Sequence, residues 1–129
     1  MAEWREDEAM KRLAVQVIAK REEVAHVDIN EVLFLRELET KPKALARCYS
    51  FNEHPIGLFT DKPFGIVFYW QNCFYMSPEQ LAIMMWHELM HIPLIGYKLV
   101  QHDVKDFRQV LRIDLCWTDP GREVPDILG

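Results

Sequence analysis

Residues 77–93 read SPEQLAIMMWHELMHIP, and this stretch decides both the fold and the chemistry that we predict. Ser77 and Pro78 are typical of the N-cap and the first position of a helix. Gln80 lies three residues after the cap, where a capping box places it. The run Leu81–Trp86 that follows is apolar nearly all round. We therefore predict a helix that is buried between other elements of the fold.

The same helix carries a His-Glu-x-x-His motif. His87 and His91 are four residues apart, so they project from one face of the helix, one turn apart. Two imidazoles in this arrangement can bind one Zn²⁺ at about 2.0–2.1 Å each. Glu88 follows the first histidine, where a carboxylate can take a proton from a water that the metal activates. The motif predicts a zinc-dependent peptidase, although Mn²⁺ and Co²⁺ remain alternatives as the metal.

A second interpretation of the motif is a buried helix whose histidines are ordinary core or hydrogen-bonded groups. Two imidazoles and a carboxylate in so apolar a helix are costly unless something satisfies them. A metal ion does that, and a chain of this length rarely shows the pattern by accident. The metal site is therefore the interpretation that we favour.

A catalytic zinc site has three protein ligands and leaves the fourth position for water. The other histidines of the chain are His26, His54 and His102. We favour His102 as the third ligand, because it follows His91 after a turn and precedes a predicted helix. Asp103 and Asp106 are competing ligands, and Asp103 is equally suited to cap that helix. The remaining two histidines are assigned to the surface.

Two supporting roles are also predicted at the site. A developing oxyanion needs a hydrogen-bond donor besides the metal, and either Tyr97 or Tyr69 could supply a hydroxyl. Asp106 or Asp114 could orient a ligating imidazole. The substrate is predicted to lie extended along the edge of the sheet near residues 64–70, where main-chain pairing gives affinity.

The rest of the sequence predicts an α+β fold. Helices are expected over residues 3–25, where an apolar stripe repeats at helical spacing, and over 103–115. Strands are expected over 31–37, 43–49 and 64–70, with a loop over 52–63 and an irregular tail after residue 117. This order predicts a small, mainly antiparallel sheet packed on the N-terminal helix, the motif helix and a C-terminal helix.

Several stretches together resemble the small metallopeptidases of phages and prokaryotes, relatives of the SprT-like minimal zincins. The matching stretches are Val32–Glu37, Lys41–Arg47, Ile66–Trp70, His87–Pro93 and His102–Phe107. The resemblance implies a minimal zincin-like peptidase with His87, His91 and His102 as zinc ligands and Glu88 as general base. Zinc-ribbon cysteine pairs of the full SprT pattern are absent from the sequence.

Composition sets the wider limits. The chain has 129 residues, half of them apolar, which predicts one domain over residues 1–129 with a substantial core. A net charge of −5 argues against general nucleic-acid binding. Apolar runs are too short for a membrane span, and the acidic N-terminus is unlike a signal peptide. The three cysteines, Cys48, Cys73 and Cys116, lie far apart and indicate reduced thiols in a cytoplasmic protein.

Two other functions remain open at this point. The chain could be a non-catalytic, zinc-stabilised module that binds a protein partner, and a fourth protein ligand would favour that function. It could also be a metal hydrolase of a non-peptide amide or ester, which a narrow closed pocket would favour. Neither the substrate nor the oligomeric state follows from the sequence.

Overall fold

The computed structural model describes residues 4–39, 44–51, 60–101 and 117–129. Its elements in chain order are β1 (Trp4–Glu6), α1 (Glu8–Lys20), β2 (Val32–Glu37), β3 (Ala46–Ser50), β4 (Phe64–Tyr69), α2 (Trp70–Cys73) and α3 (Pro78–Leu89). Two short 3₁₀ turns, Glu22–Val24 and Ile29–Glu31, link α1 to β2. The predicted α+β class is confirmed. The predicted C-terminal helix over 103–115 and most of the predicted loop over 52–63 fall outside the described residues.

The four strands form one mixed sheet in the order β1-β2-β4-β3. The outer pairs, β1 with β2 and β3 with β4, are antiparallel, whereas the central pair, β2 with β4, is parallel. All six residues of β4 are buried, as its unbroken apolar sequence predicts for a strand covered on both faces. The predicted substrate position at residues 64–70 is wrong, because β4 is interior and its backbone already pairs with strands on both sides.

The N-terminal helix is shorter than predicted. Residues 4–6 form β1 on the edge of β2, and the helix begins at Glu8 and ends at Lys20. The physical reason is Asp7, whose Oδ1 accepts the backbone N–H of Met10 (3.1 Å) and thereby caps the helix. Its Oδ2 accepts from Arg36 Nε (2.7 Å), and its own backbone N–H donates to β2. Asp7 therefore fixes the point at which strand gives way to helix.

α1 and α3 pack together on one face of the sheet. Met10, Ala14 and Val17 of the predicted α1 stripe are buried against this core. The guanidinium of Arg21, at the end of α1, stacks 4.3 Å from the ring centre of Trp86 in α3. α3 therefore contacts both α1 and the sheet. No helix in the described part of the chain is long and apolar enough to cross a membrane.

The opposite face of the sheet carries a second, aromatic cluster. Its buried members are Leu35, Phe51, Val67 and Tyr69, with Trp4, Leu33, Ala44 and Tyr49 packed against them. Gly65 of β4 lies beneath this cluster, and a Cβ atom placed there would overlap the ring of Phe51. The absence of a side chain at position 65 is what allows the ring to rest on the strand.

We expect Gly65→Ala to lower the free energy of unfolding by about 1–3 kcal/mol, because the buried Phe51 ring must shift or the strand must move. Urea denaturation of wild type and variant measures the difference. In the double variant with Phe51→Ala the penalty at position 65 should largely vanish, since the overlapping ring is gone. A penalty that is the same with and without the ring would contradict this packing.

Candidate metal centre

The motif helix begins as the sequence predicts. Ser77 is the N-cap, Pro78 opens the helix, and the reciprocal capping box between Ser77 and Gln80 is present. The middle of α3 is fully enclosed, and Ile83, Met85 and Trp86 have no exposed surface. This burial fixes the rotation of the helix, and with it the direction in which the motif residues point.

The two histidines of the motif meet near the C-terminal end of α3. The rings of His87 and His91 have their centres 5.2 Å apart and are inclined by 67°. Both residues are half-buried. The regular helix ends at Leu89, but the backbone N–H of His91 still donates to the carbonyl of Glu88 (3.2 Å), so one tightened turn carries His91 onto the face of His87. One solvent-accessible side of the helix therefore presents two imidazoles.

The returning loop fixes the tautomer of His91. Its Nδ1 lies 2.7 Å from the carbonyl oxygen of Val100, and the backbone N–H of Val100 donates to the carbonyl of His91, also at 2.7 Å. A carbonyl oxygen only accepts, so Nδ1 carries the proton and donates it. The neutral ring then has its lone pair on Nε2. Metal-binding histidines are oriented in this way, with the second ring nitrogen bonded to a carbonyl or carboxylate.

The carboxylate of the motif lies beside the first histidine. Glu88 Oε1 is 3.9 Å from His87 Nε2, and the Glu88 side chain is buried. That separation places a carboxylate near the ring nitrogen without direct hydrogen bonding. An acidic group in this position is suited to exchange a proton with a molecule held at the two imidazoles.

Cys48 lies on β3, the strand that contacts α3 from the sheet side. Burial raises the pKa of its thiol well above the usual range, and the negative charge of Glu88 raises it further. Cys73 lies in the core, where burial raises its pKa to about 12. Both are free thiols. The alternation of buried residues along β3, with Ala46 and Ser50 flanking Cys48, is the sequence signal that could have placed this thiol beside the motif helix.

Trp117 packs on the other side of the centre. Its ring centre is 6.4 Å from that of His87, and it is buried. The side-chain amide of Gln80 donates to the carbonyl oxygens of Trp117 (2.9 Å) and Asp119 (2.8 Å). Residues 117–129 contain no helix or strand, which confirms the predicted irregular tail. The sequence analysis missed this anchor, although a glutamine on an otherwise buried helix was its available signal.

The other predicted site residues are distributed as follows. His102, Asp103, Asp106 and Asp114 lie outside the described residues, as do His54 and Cys116. Tyr97 is exposed and packs 6.1 Å from Phe64, measured between ring centres. Within the described segments no group of three or more metal-binding side chains occurs. The structure thus brings His87, Glu88 and His91 together, and the question of a third ligand stays open.

Tyr69 does not face the metal centre, so its predicted role as oxyanion donor is wrong. Its ring belongs to the aromatic cluster on the opposite face of the sheet, and its hydroxyl lies 3.2 Å from that of Tyr49. Burial and this hydrogen bond raise its pKa. The cause is the alternation of β4, which directs Phe68 toward the helices and Tyr69 away from them.

His26 has a contact that the sequence analysis did not foresee. It is exposed, as predicted, but its Nε2–H donates to the carbonyl oxygen of Ile92 (2.8 Å). Ile92 directly follows the second histidine of the motif. The segment between α1 and β2 is thereby attached to the loop that leaves the metal centre.

Comparison with protein-family models gives one match, to the family described as "Putative phage metallopeptidase", over residues 2–128. The chain belongs to this family. The phage metallopeptidase family description indicates a metal-dependent peptidase, whose substrates are peptides or proteins. No curated protein and no solved structure matches the chain.

Proposed function

We propose that this phage metallopeptidase is a zinc-dependent peptidase of minimal zincin type, formed by one domain over residues 1–129. In this proposal His87, His91 and His102 bind the metal and Glu88 is the general base. The observation that carries it is the meeting of two half-buried imidazoles with a buried carboxylate on one side of α3. The match to the family over residues 2–128 supports the extent of the domain.

The described donors suit zinc. Imidazole nitrogens are common zinc ligands, and the hydrogen bond from His91 Nδ1 to Val100 leaves its Nε2 as the ligating atom. When bound, zinc lowers the pKa of water and polarises a carbonyl group. The free thiols of Cys48 and Cys73 agree with a reducing compartment, and we place the protein in the cytoplasm on that ground.

His102 is proposed as the third ligand on the evidence of its neighbour Val100. The backbone of Val100 is paired with His91 through two hydrogen bonds. Consecutive α-carbons are about 3.8 Å apart, so two residues further along the chain cannot lie more than about 7–8 Å from Val100. The chain length therefore permits a histidine at position 102 to approach the two imidazoles. Asp103 is one residue more distant and is the alternative ligand.

We expect His102→Ala to lose most of the bound zinc, whereas Asp103→Asn should retain about one zinc per chain. Metal content after dialysis against a metal-free buffer measures the difference. Loss of zinc in Asp103→Asn with retention in His102→Ala would reverse the assignment. Retention in both variants would exclude both residues as the third ligand.

Glu88 carries the proton transfers of the proposed reaction. Its carboxylate accepts a proton from the attacking water and then delivers it to the amine that leaves. Its burial beside His87 keeps the carboxylate in one place and away from bulk solvent. We propose that the hydroxyl of Tyr97 donates a hydrogen bond to the developing oxyanion. Asp106 is proposed to orient a ligating imidazole.

The substrate is proposed to pair with β3 rather than β4. The carbonyl of Leu45 accepts from the backbone N–H of Tyr69 (3.0 Å), and the backbone N–H of Phe51 donates to the carbonyl of Pro63 (2.8 Å). Both residues therefore direct these groups toward the β4 side. In an antiparallel pair, every second residue of a strand directs its N–H and C=O groups away from the partner strand. These residues are Ala46, Cys48 and Ser50. No described strand lies beyond them, and β3 contacts α3, so an added peptide strand would pass beside the helix that carries the motif.

The proposal is tested by adding zinc to the purified, metal-free protein and following cleavage of a denatured protein and of short peptides by mass spectrometry. Cleavage that requires zinc and stops with a chelator supports the peptidase. Stoichiometric zinc without cleavage of any peptide would favour the non-catalytic binding module. Hydrolysis confined to a small non-peptide amide would favour the third function.

A further inference from the structure

A cavity of about 240 Å³ lies immediately beyond the motif, between the segment that precedes β2 and the loop that follows His91. Its buried lining residues are apolar, namely Val27, Val32, Phe64 and Ile92. The hydrogen bond from His26 to Ile92 closes one wall. Since Ile92 is bonded directly to His91, the cavity is adjacent to the proposed metal centre.

Two of the exposed residues that line this cavity are acidic, and the others are His26, Leu94, Gly96 and Tyr97. Asp28 and Glu31 are exposed and line it, and no Lys or Arg is among its described lining residues. The Asp28 carboxylate accepts the backbone N–H of Asn30 (2.9 Å), so it is held in position. Glu31 has no side-chain hydrogen bond or ion pair among the described residues. Buried apolar side chains together with two carboxylates at the surface match a side chain that has an apolar stem and a cationic end.

We propose that this cavity is a specificity subsite that receives a lysine or arginine side chain of the peptide substrate, with Glu31 as the residue that selects its charge. The inference rests on the proposed peptidase function and names the substrate class. The buried apolar side chains accommodate the methylene stem, and the carboxylates of Glu31 and Asp28 attract the cationic end. Glu31 also lines a neighbouring cavity of about 410 Å³, so the acidic surface extends along the groove.

A lysine side chain of the protein lines that neighbouring cavity. Lys62 donates its Nζ to the carbonyl oxygen of Asn30 (2.8 Å) and forms no described ion pair with Glu31. Its ammonium therefore forms no direct ion pair with the carboxylate that we propose to be selective. Lys62 does not line the smaller cavity beside the motif.

The test uses mixtures of short peptides in which one position is fixed as Lys, norleucine or Glu and the others are randomised. The zinc-loaded Glu88→Gln protein is immobilised, and mass spectrometry measures how much of each mixture is retained at pH 8, where an ordinary histidine is neutral. Cleavage of the same mixtures by the wild type is followed in parallel. Retention does not depend on hydrolysis, so the subsite and the peptidase function are tested separately.

We expect the Lys mixture to be retained about three-fold better than the norleucine mixture, as an exposed ion pair allows. Adding Glu31→Gln should bring this ratio close to one, and Glu31→Lys should favour the Glu mixture. Glu22→Gln is the matched control, because Glu22 is exposed and lines none of these cavities; it should keep the preference.

Equal retention of the Lys and norleucine mixtures, or a Lys preference that persists in Glu31→Gln, would overturn the subsite. If the wild type cleaves all mixtures equally and retention shows no preference, the subsite fails and the peptidase stands. The wild type could also cleave none of the mixtures while the preference for retaining the Lys mixture depends on Glu31. In that case the peptidase function fails and the subsite stands.

Discussion

Replacing Glu88 by Gln is expected to lower peptide hydrolysis by about 10²–10⁴-fold, the range that a general acid–base residue contributes. The amide has the shape of the carboxylate but cannot accept the proton of the attacking water. His87 and His91 remain, so zinc binding should stay near one per chain. Measurement of kcat/KM with a cleaved peptide, together with zinc content of the same preparation, checks both statements.

The matched control for this variant is Glu79→Gln. Glu79 lies in the first turn of the same helix, far along α3 from the motif, and its loss removes an equal charge. It should leave both kcat/KM and zinc content close to wild type. Wild-type activity in Glu88→Gln would exclude Glu88 as the base, whereas loss of zinc in that variant would show that the carboxylate is itself a ligand.

In the metal centre, the sequence predicts the contacts between residues that are three or four positions apart in the chain. The capping box of α3 joins Ser77 and Gln80, three residues apart, and the motif histidines are four apart. Hydrogen bonds and side-chain neighbours over this range follow from helix geometry alone. For the same reason the start of α3 was predicted to the residue.

Contacts between distant parts of the chain explain what was missed. Residues 4–6 are too few to show a strand period of their own, and pairing with the edge of β2 makes them a strand. β3 lies between β2 and β4 in the sequence, although β2 and β4 are neighbours in the sheet. The order of the strands along the chain therefore does not predict their parallel pairing. The hydrogen bonds of His91 with Val100 and of Gln80 with Trp117 likewise join segments with no shared periodicity.

His91→Ala is expected to remove stoichiometric zinc and, with it, the stabilisation that zinc provides. A ligand at about a thousand times its Kd stabilises a folded protein by about 4 kcal/mol. For a domain of this size that corresponds to a rise in Tm of about fifteen degrees. We therefore expect zinc to raise the Tm of the wild type by roughly this amount and to leave the Tm of His91→Ala unchanged. Thermal unfolding with zinc and with a chelator measures both.

The His91 ring also donates to Val100, so the variant loses a hydrogen bond that has nothing to do with the metal. This loss lowers the Tm equally with and without zinc, by an amount that corresponds to about 0.5–1.5 kcal/mol. The backbone pairing of Val100 with residue 91 involves no side chain of residue 91 and remains available. The difference between the two conditions, rather than the Tm itself, therefore reports ligation.

His26→Ala is the matched control for this difference. His26 is another histidine whose ring donates to a backbone carbonyl of the same loop, at 2.8 Å from Ile92. It lies outside the motif, so its loss should lower the Tm slightly while the effect of zinc persists. If zinc stabilised His91→Ala as much as His26→Ala, His91 would be a structural histidine, and the metal would have to be sought elsewhere in the chain. Because both variants remove one imidazole that is bonded to the same loop, a zinc effect lost only in His91→Ala can be attributed to ligation by that ring.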